Sequence, residues 1–327
     1  MRLAFAGDMS ICRVLNGMWQ VSGGHGRIDP ARAVAAMHAY HAAGFTTWDL
    51  ADHYGPAEDL IGAFRRELGE RRDEIEAFTK WVPPPGPMTR AVVEQAIDVS
   101  RRRMGVDRLD LLQFHWWEYR DTRYLDALKH LADLRAAGKI RHLALTNFDT
   151  ERLGIIAAHG IEIVSNQVQY SLVDQRPAAR MAALCREHGI GLLTYGTLLG
   201  GLLSEAWLGR PEPGRGGLAT VSQQKYKQMI DSWGGWALFQ ELLAALKRIA
   251  DRHGASISTV GTRLILDRSA VAGVIVGARL GIAEHIADNT SVFGLALNAE
   301  DSASLEPIAA RSRDLMRAIG DCGDEYR

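Results

Sequence analysis

Eight short apolar runs, each bounded by turn residues and followed by a stretch of helical periodicity, govern what this chain can fold into. They are Arg13 to Gln20, Phe45 to Leu50, Ile75 to Trp81, Leu109 to His115, Ile140 to Asn147, Ile163 to Gln169, Gly191 to Gly196 and Val274 to Gly277. Runs that stay apolar instead of alternating belong to strands covered on both faces, as in a parallel sheet overlaid by helices. Their starts lie roughly 30 residues apart through the first half, the length of one strand-helix-strand unit.

The intervening segments carry helix punctuation. Asp29-Pro30 opens a helix running to Ala43 that stops at Gly44, Thr122 to Ala137 stops at Gly138, and Arg176 to His188 stops at Gly189. A polar cap with proline in the first turn starts a helix, and a glycine just past its end turns the chain back. Eight such steps predict a closed (β/α)8 TIM barrel, one domain over residues 1–327, rather than an open sheet. Met1 to Cys12 is expected to form a hairpin over the far end. Leu202 to Gly235, with Pro211, Pro213 and Gly214 to Gly217, reads as a long irregular loop after the seventh strand, and Ala299 to Ile319 as an extra terminal helix.

Composition narrows the function classes. With 38 Lys and Arg against 39 Asp and Glu, the net charge of −1 gives no grip on nucleic acid or on an anionic membrane. A content of 47 % hydrophobic residues supplies ample core. Cys12, Cys185 and Cys322 are too few and too scattered for a disulfide framework or a metal site. The apolar start from Arg2 is broken by Asp8, and the charge-free stretch Gly189 to Ser204 is 16 residues with five glycines, too short for a membrane helix. A reducing, cytoplasmic setting is expected. A near-neutral surface neither requires nor forbids self-association.

A barrel carries its catalytic groups at the C-terminal ends of its strands. Asp49, Lys80 and His115 close the second, third and fourth apolar runs, and Tyr54 lies just beyond the second. Singly, each has a plainer explanation as a solvated rim residue, a bonded core histidine or a packed aromatic. Together they make an acid. An ammonium at Lys80 is expected to pull the Tyr54 phenol down, Asp49 to keep that lysine charged, and a neutral His115 to orient a substrate oxygen. Such a set protonates a carbonyl oxygen while another group adds to the carbon.

These residues carry a resemblance to the aldo-keto reductase superfamily. The stretch Gly44 to Gly55, with Asp49 and Tyr54 five apart, continuing through Glu58 and Ile61-Gly62, is similar to that family's signature; Phe78 to Trp81 and Leu111 to Trp116 resemble the segments bearing its lysine and histidine. The likeness runs from about Gly17 to Asn289 and implies a catalytic tetrad of Asp49, Tyr54, Lys80 and His115, with Tyr54 as proton donor.

No G-x-G-x-x-G follows a predicted strand, so a Rossmann site is not supported, whereas the loops after barrel strands seven and eight suit a pyrophosphate. Gly196, Thr197, Leu198 and Gly200 leave the seventh, and Gly277, Ala278 and Arg279 the eighth. The resemblance implies that Thr146, Asn147 and Gln167 hold a nicotinamide carboxamide, that Tyr195 stacks on the ring, and that Gly17, Met18, Trp19 and Asp49 lie beside it. It places Arg279 on a 2′-phosphate and His285, Asp288 and Asn289 at the adenine, so that NADPH is preferred and NADH is possible. Thr146 stands for a commoner serine, Gly196-Thr197 for Ser-Pro and Trp117 for a frequent proline, and the Gly277 to Asn289 segment is about two residues longer than the usual pattern.

Trp19, Trp81, Trp116 and Trp117 fall at predicted strand ends, so Trp19, Tyr54, Trp81, His115 and Trp116 are expected to line a pocket for apolar or aromatic aldehydes and ketones. Trp207, Trp233 and Trp236 are candidates for a lid, and no basic cluster at the mouth singles out a charged substrate. The resulting expectation is an NADPH-dependent carbonyl reductase. The alternatives are an NAD-dependent alcohol or sugar dehydrogenase working oxidatively, and a nucleotide-sensing subunit similar to the β subunits of ion channels.

Overall fold

A computed structural model describes residues 1–23, 28–214 and 216–326; Arg215, within the predicted loop, lies outside the described residues. An antiparallel hairpin, β1 (Arg2–Phe5) and β2 (Met9–Cys12), comes first. The barrel follows as β3 (Val14–Gly17), β4 (Thr47–Asp49), β5 (Glu76–Trp81), β6 (Leu109–His115), β7 (Ile140–Thr146), β8 (Ser165–Gln169), β9 (Gly191–Tyr195) and β10 (Val271–Gly277). Every neighbouring pair is parallel, and β10 closes the ring between β9 and β3. All eight expected strands are present, and the sheet has the expected closure.

Alternation along each strand divides the core in two. Leu15, Phe78, Leu111, Ala144 and Leu193 point inward and cluster with Phe5, Met9 and Ile11 of the hairpin, which plugs the end of the barrel away from the strands' C-termini. Phe5 and Phe78 stack there with centroids 6.2 Å apart. One position along, Leu112 and Phe114 join the larger cluster between strands and helices. Burying each such side chain is worth ~1.5–3 kcal/mol.

The helices begin where the caps predict. Asp29 accepts the Arg32 N–H and opens Pro30–Ala42; Thr89 and Asp149 do the same for Arg90–Met104 and Thr150–Ala158. Three expectations need correction. The Arg176 to His188 helix breaks into Arg176–Ala179 and Met181–Glu187 at Arg180, whose backbone leaves the helical region. The segment after β9 is not irregular throughout: Thr220 caps a helix, Val221–Trp233. The terminal helix is three short pieces, Ala299–Ala303, Glu306–Ala309 and Leu315–Ala318, interrupted where Pro307 supplies no N–H and where Asp314 caps a fresh start. Arg279 opens a turn, and the helix after β10 starts only at Ile286. Among the described residues no helix is long and apolar enough to cross a membrane.

Candidate active site

The inward-facing rows turn polar as they approach the mouth. Along β5 the row passes from Phe78 to Lys80, and along β6 from Leu111 through Gln113 to His115. Asp49 ends β4 next to them. Lys80 Nζ donates to both Asp49 oxygens, at 2.8 and 2.7 Å, and to the Leu50 carbonyl at 3.1 Å. Gln113 and Gln167 add amide donors to Asp49 Oδ1 at 2.9 and 2.7 Å. Both charges of the pair are only 3 % exposed. A buried ion pair is tolerated only when its remaining hydrogen-bonding capacity is met, and the two glutamines help to meet it. Burial pulls the Lys80 ammonium down, and the Asp49 carboxylate pulls it back up.

Tyr54 stands over this pair, with Lys80 Nζ 5.2 Å from its ring centroid. Trp19 and His53 each pack edge-on against it at 4.9 Å, and their own rings meet at 6.4 Å. The expected downward pull on its pKa is not found. Burial pushes the Tyr54 phenol well up, and the Asp49 carboxylate pushes it further, so Asp49 offsets the cation that was to lower it. Tyr54 is therefore a phenol that keeps its proton. His115 is buried at the end of β6 with Trp117 edge-on at 4.4 Å.

The residues expected around a carboxamide also meet at this mouth, in a different pattern of bonds. Asn147 follows β7 in the left-handed region, φ +59°, a conformation its short amide tolerates. Tyr195 donates its hydroxyl to Asn147 Oδ1 at 2.8 Å. Gln167 Nε2 serves Asp49 and also Gln113 Oε1 at 2.6 Å. Thr146 is buried, its hydroxyl 3.4 Å from the Gln167 carbonyl. Beyond β9, Thr197 bonds the Tyr170 carbonyl, Leu198 is half-buried, and Gly200 has φ +66° against Ser222 and Gln223. A Cβ on Gly196 would come within 2.6 Å of the Tyr226 hydroxyl, so that ring lies directly on its backbone.

The segment after β10 forms the outer end of the mouth. Ala278 N–H bonds the Gly17 carbonyl, Met18 N–H bonds that of Asp49, and Gln20 lies across Gly277 where a Cβ would be 2.1 Å from its Nε2. Arg279 is exposed and has no ion pair among the described residues. His285 is half-buried, Asp288 exposed and Asn289 buried. Amide-reading groups and a flat ring at one end, with an unpaired guanidinium at the other, fit a nicotinamide nucleotide.

The tryptophans sort differently from expectation. Trp81 and Trp116 are buried, packing on Phe114, and the Trp116 indole N–H is held by the carbonyls of Glu118 and Asp121. They back the wall; Trp19 and Trp117, 37 and 43 % exposed, form its aromatic rim. Trp233 and Trp236 are buried and Trp207 packs edge-on against Trp236 at 5.9 Å, joining the segment to the core. Sequence reasoning missed Gln113, although its spacing of two from His115 puts both on one face. It also missed Lys225, Tyr226 and Tyr326. The Tyr326 hydroxyl meets that of Tyr195 at 3.0 Å. The segment bearing it is anchored by buried Arg176, which pairs with Asp174 at 2.8 Å and Glu325 at 3.0 Å and bonds the Asp321 carbonyl.

A parallel barrel whose mouth holds a tyrosine above a buried lysine–aspartate pair defines a class of NAD(P)H-dependent oxidoreductases. The chain belongs to it: the profile of the Aldo/keto reductase family matches residues 13–310. It is similar to flagellar radial spoke protein 5 of Chlamydomonas reinhardtii, 29 % identical over 66 % of this chain, which spans only 49 % of that protein. It is 24 % identical to the NADH-specific methylglyoxal reductase of Escherichia coli over 92 % of this chain and 96 % of that one. Among solved structures, the thermostable aldo-keto reductase Tm1743 has the same fold, with a TM-score of 0.73 at 22 % identity over 94 % of this chain and 99 % of that one.

Proposed function

We propose that the chain reduces an aldehyde or ketone to an alcohol, that Tyr54 donates the proton, and that NADPH is preferred over NADH. The observation that carries this reading is the placement of a proton-retaining phenol over the buried Lys80–Asp49 ion pair. When bound, the nicotinamide nucleotide supplies the hydride. Tyr54 gives its O–H proton to the carbonyl oxygen as negative charge develops there, and the Lys80 ammonium stabilises the phenolate left behind. His115 bonds the same oxygen and fixes the carbonyl beside the phenol. Thr146 and Asn147 hold the carboxamide and Tyr195 the ring face, while Arg279 takes the 2′-phosphate, which only NADPH carries.

The test is Tyr54→Phe. Turnover of a simple aldehyde with NADPH is expected to fall about 10²–10⁴-fold, the usual worth of a positioned acid, while NADPH still quenches tryptophan emission with its wild-type Kd. Undiminished turnover removes Tyr54 from the role. A wild-type protein that binds NADPH yet turns over no carbonyl points to a nucleotide sensor instead.

A further inference from the structure

Lys225 is an exception among the lysines of this chain. There are six, and five are paired with carboxylates: Lys80 with Asp49, Lys129 with Asp126, Lys139 with Glu94 and Asp98, Lys227 with Glu212 and Asp231, and Lys247 with Asp251. Lys225 is half-buried and has no carboxylate within 4.0 Å among the described residues. Its ammonium instead lies over three tyrosine rings, 5.1 Å from the centroid of Tyr195, 5.4 Å from Tyr226 and 4.3 Å from Tyr326, and donates to the Tyr326 hydroxyl. Aromatic faces hold a partly desolvated cation in place without cancelling its charge.

The position of that charge relates it to the reacting end of the site. Tyr195 ends β9, and its one hydroxyl proton goes to Asn147 Oδ1, so Tyr326 must give its own proton to Tyr195 and accept from Lys225. The three side chains form a directed chain running from the ammonium to the carboxamide-reading residue. Tyr326 is close enough to Tyr54 to add to the upward push on the Tyr54 phenol, after burial and the Asp49 carboxylate. Arg279, at the far end beyond β10, is the cation placed for a nucleotide phosphate. Glu325, next to Tyr326 in the chain, is turned to Arg176.

Resting on the carbonyl-reductase reading, we propose that Lys225 determines specificity by pairing with a carboxylate on the substrate, so that the preferred substrates are oxo acids. An ammonium has three donors; one goes to Tyr326, and a carboxylate supplies the acceptors for the others as well as the counter-ion. The pair forms against tyrosine rings rather than in open water, which strengthens it relative to a surface ion pair.

The experiment compares 4-oxobutanoate with butanal, which has the same chain length and no charge, in wild type, Lys225→Met and Lys225→Arg, with NADPH oxidation as the readout. In wild type, kcat/KM is expected to favour the acid. In Lys225→Met that preference falls tenfold to a hundredfold, mainly through KM for the acid, and Lys225→Arg restores much of it. The NADPH Kd, read separately by fluorescence, stays within twofold. An acid-to-aldehyde ratio that is the same in wild type and Lys225→Met overturns the proposal. So does a loss confined to NADPH affinity, which assigns the cation to a nucleotide phosphate. If wild type reduces neither compound although it binds NADPH, the carbonyl-reductase reading itself fails and takes this one with it; reduction of butanal alone overturns only the inference.

Discussion

Gln167 donates through one amide nitrogen to Gln113 Oε1 at 2.6 Å and to Asp49 Oδ1 at 2.7 Å, so two glutamines from β6 and β8 brace one carboxylate across the barrel. Gln113 is fully buried and Gln167 is 3 % exposed. Gln113→Leu removes a donor from Asp49 and an acceptor from Gln167 with little change in volume. Leaving buried polar groups unmet costs about 1–3 kcal/mol. The expected result is an unfolding free energy lowered by about that amount, read as a reduced urea midpoint at unchanged m value, with turnover also reduced because Asp49 is less firmly held.

Asp49→Asn is expected to be more severe. It keeps the shape and removes the carboxylate paired with a buried ammonium, a loss of about 3–5 kcal/mol where such a pair is broken from one side. Lys80 escapes part of that penalty by releasing its proton, the direction in which burial already pulls it. Calorimetric unfolding of the variant should therefore be less unfavourable at alkaline than at neutral pH relative to wild type. An equal deficit at both would mean that Lys80 stays charged.

At the opposite end of the barrel, burial and the nearby Asp110 carboxylate push Glu76 up to about 7 from its ordinary 4.5. Its bonds to Arg141, at 3.4 and 3.5 Å, are long. Between those two values the folded chain holds a proton that the unfolded chain has released, so this group makes stability fall as pH rises from about 4.5 to about 7 and adds no further slope above that. Glu76→Gln does not titrate. The difference in urea midpoint, variant minus wild type, should be more positive at about pH 8 than at about pH 5, and a pH-independent difference would remove Glu76 from that role.

Arg279→Ala tests the nucleotide preference. A charge-assisted contact to a 2′-phosphate is worth about 1.5–3 kcal/mol, so the NADPH Kd should rise about tenfold to a hundredfold while the NADH Kd stays nearly constant. Equal weakening for both nucleotides would place Arg279 on the shared pyrophosphate.

The barrel and the lower part of its site were legible because each depends on local signals. Asp49, Lys80 and His115 each end an apolar run, and a run's end is the barrel's mouth. Gln113 was equally available, since a polar residue inside Leu109–His115 at period two from His115 has to face the same interior. The helix Val221–Trp233 had its own signal too, because Tyr226, Met229, Ile230 and Trp233 follow the i, i+3, i+4, i+7 spacing; the prolines and glycines on either side obscured it. Tyr326 had none. It reaches Tyr195 in a segment that long-range contacts hold in place, among them the pairing of Arg176 with Glu325, 149 positions apart. The acidity of Tyr54 was misread for a related reason: Lys80 alone was weighed, whereas burial in the folded mouth raises the phenol most and the Asp49 carboxylate raises it further.

The closing seam of the barrel also has a consequence in time. Gly17 of β3 is paired with Gly277 of β10, about 260 residues further along the chain. At about 5–20 residues per second of synthesis, β3 emerges roughly 10 to 50 s before its second neighbour exists. Until then one of its edges offers unpaired N–H and C=O groups, the feature that recruits strands from other chains. The nascent barrel is thus most open to association with copies of itself late in translation, when nearly all of its core has been made and only the last strand is missing.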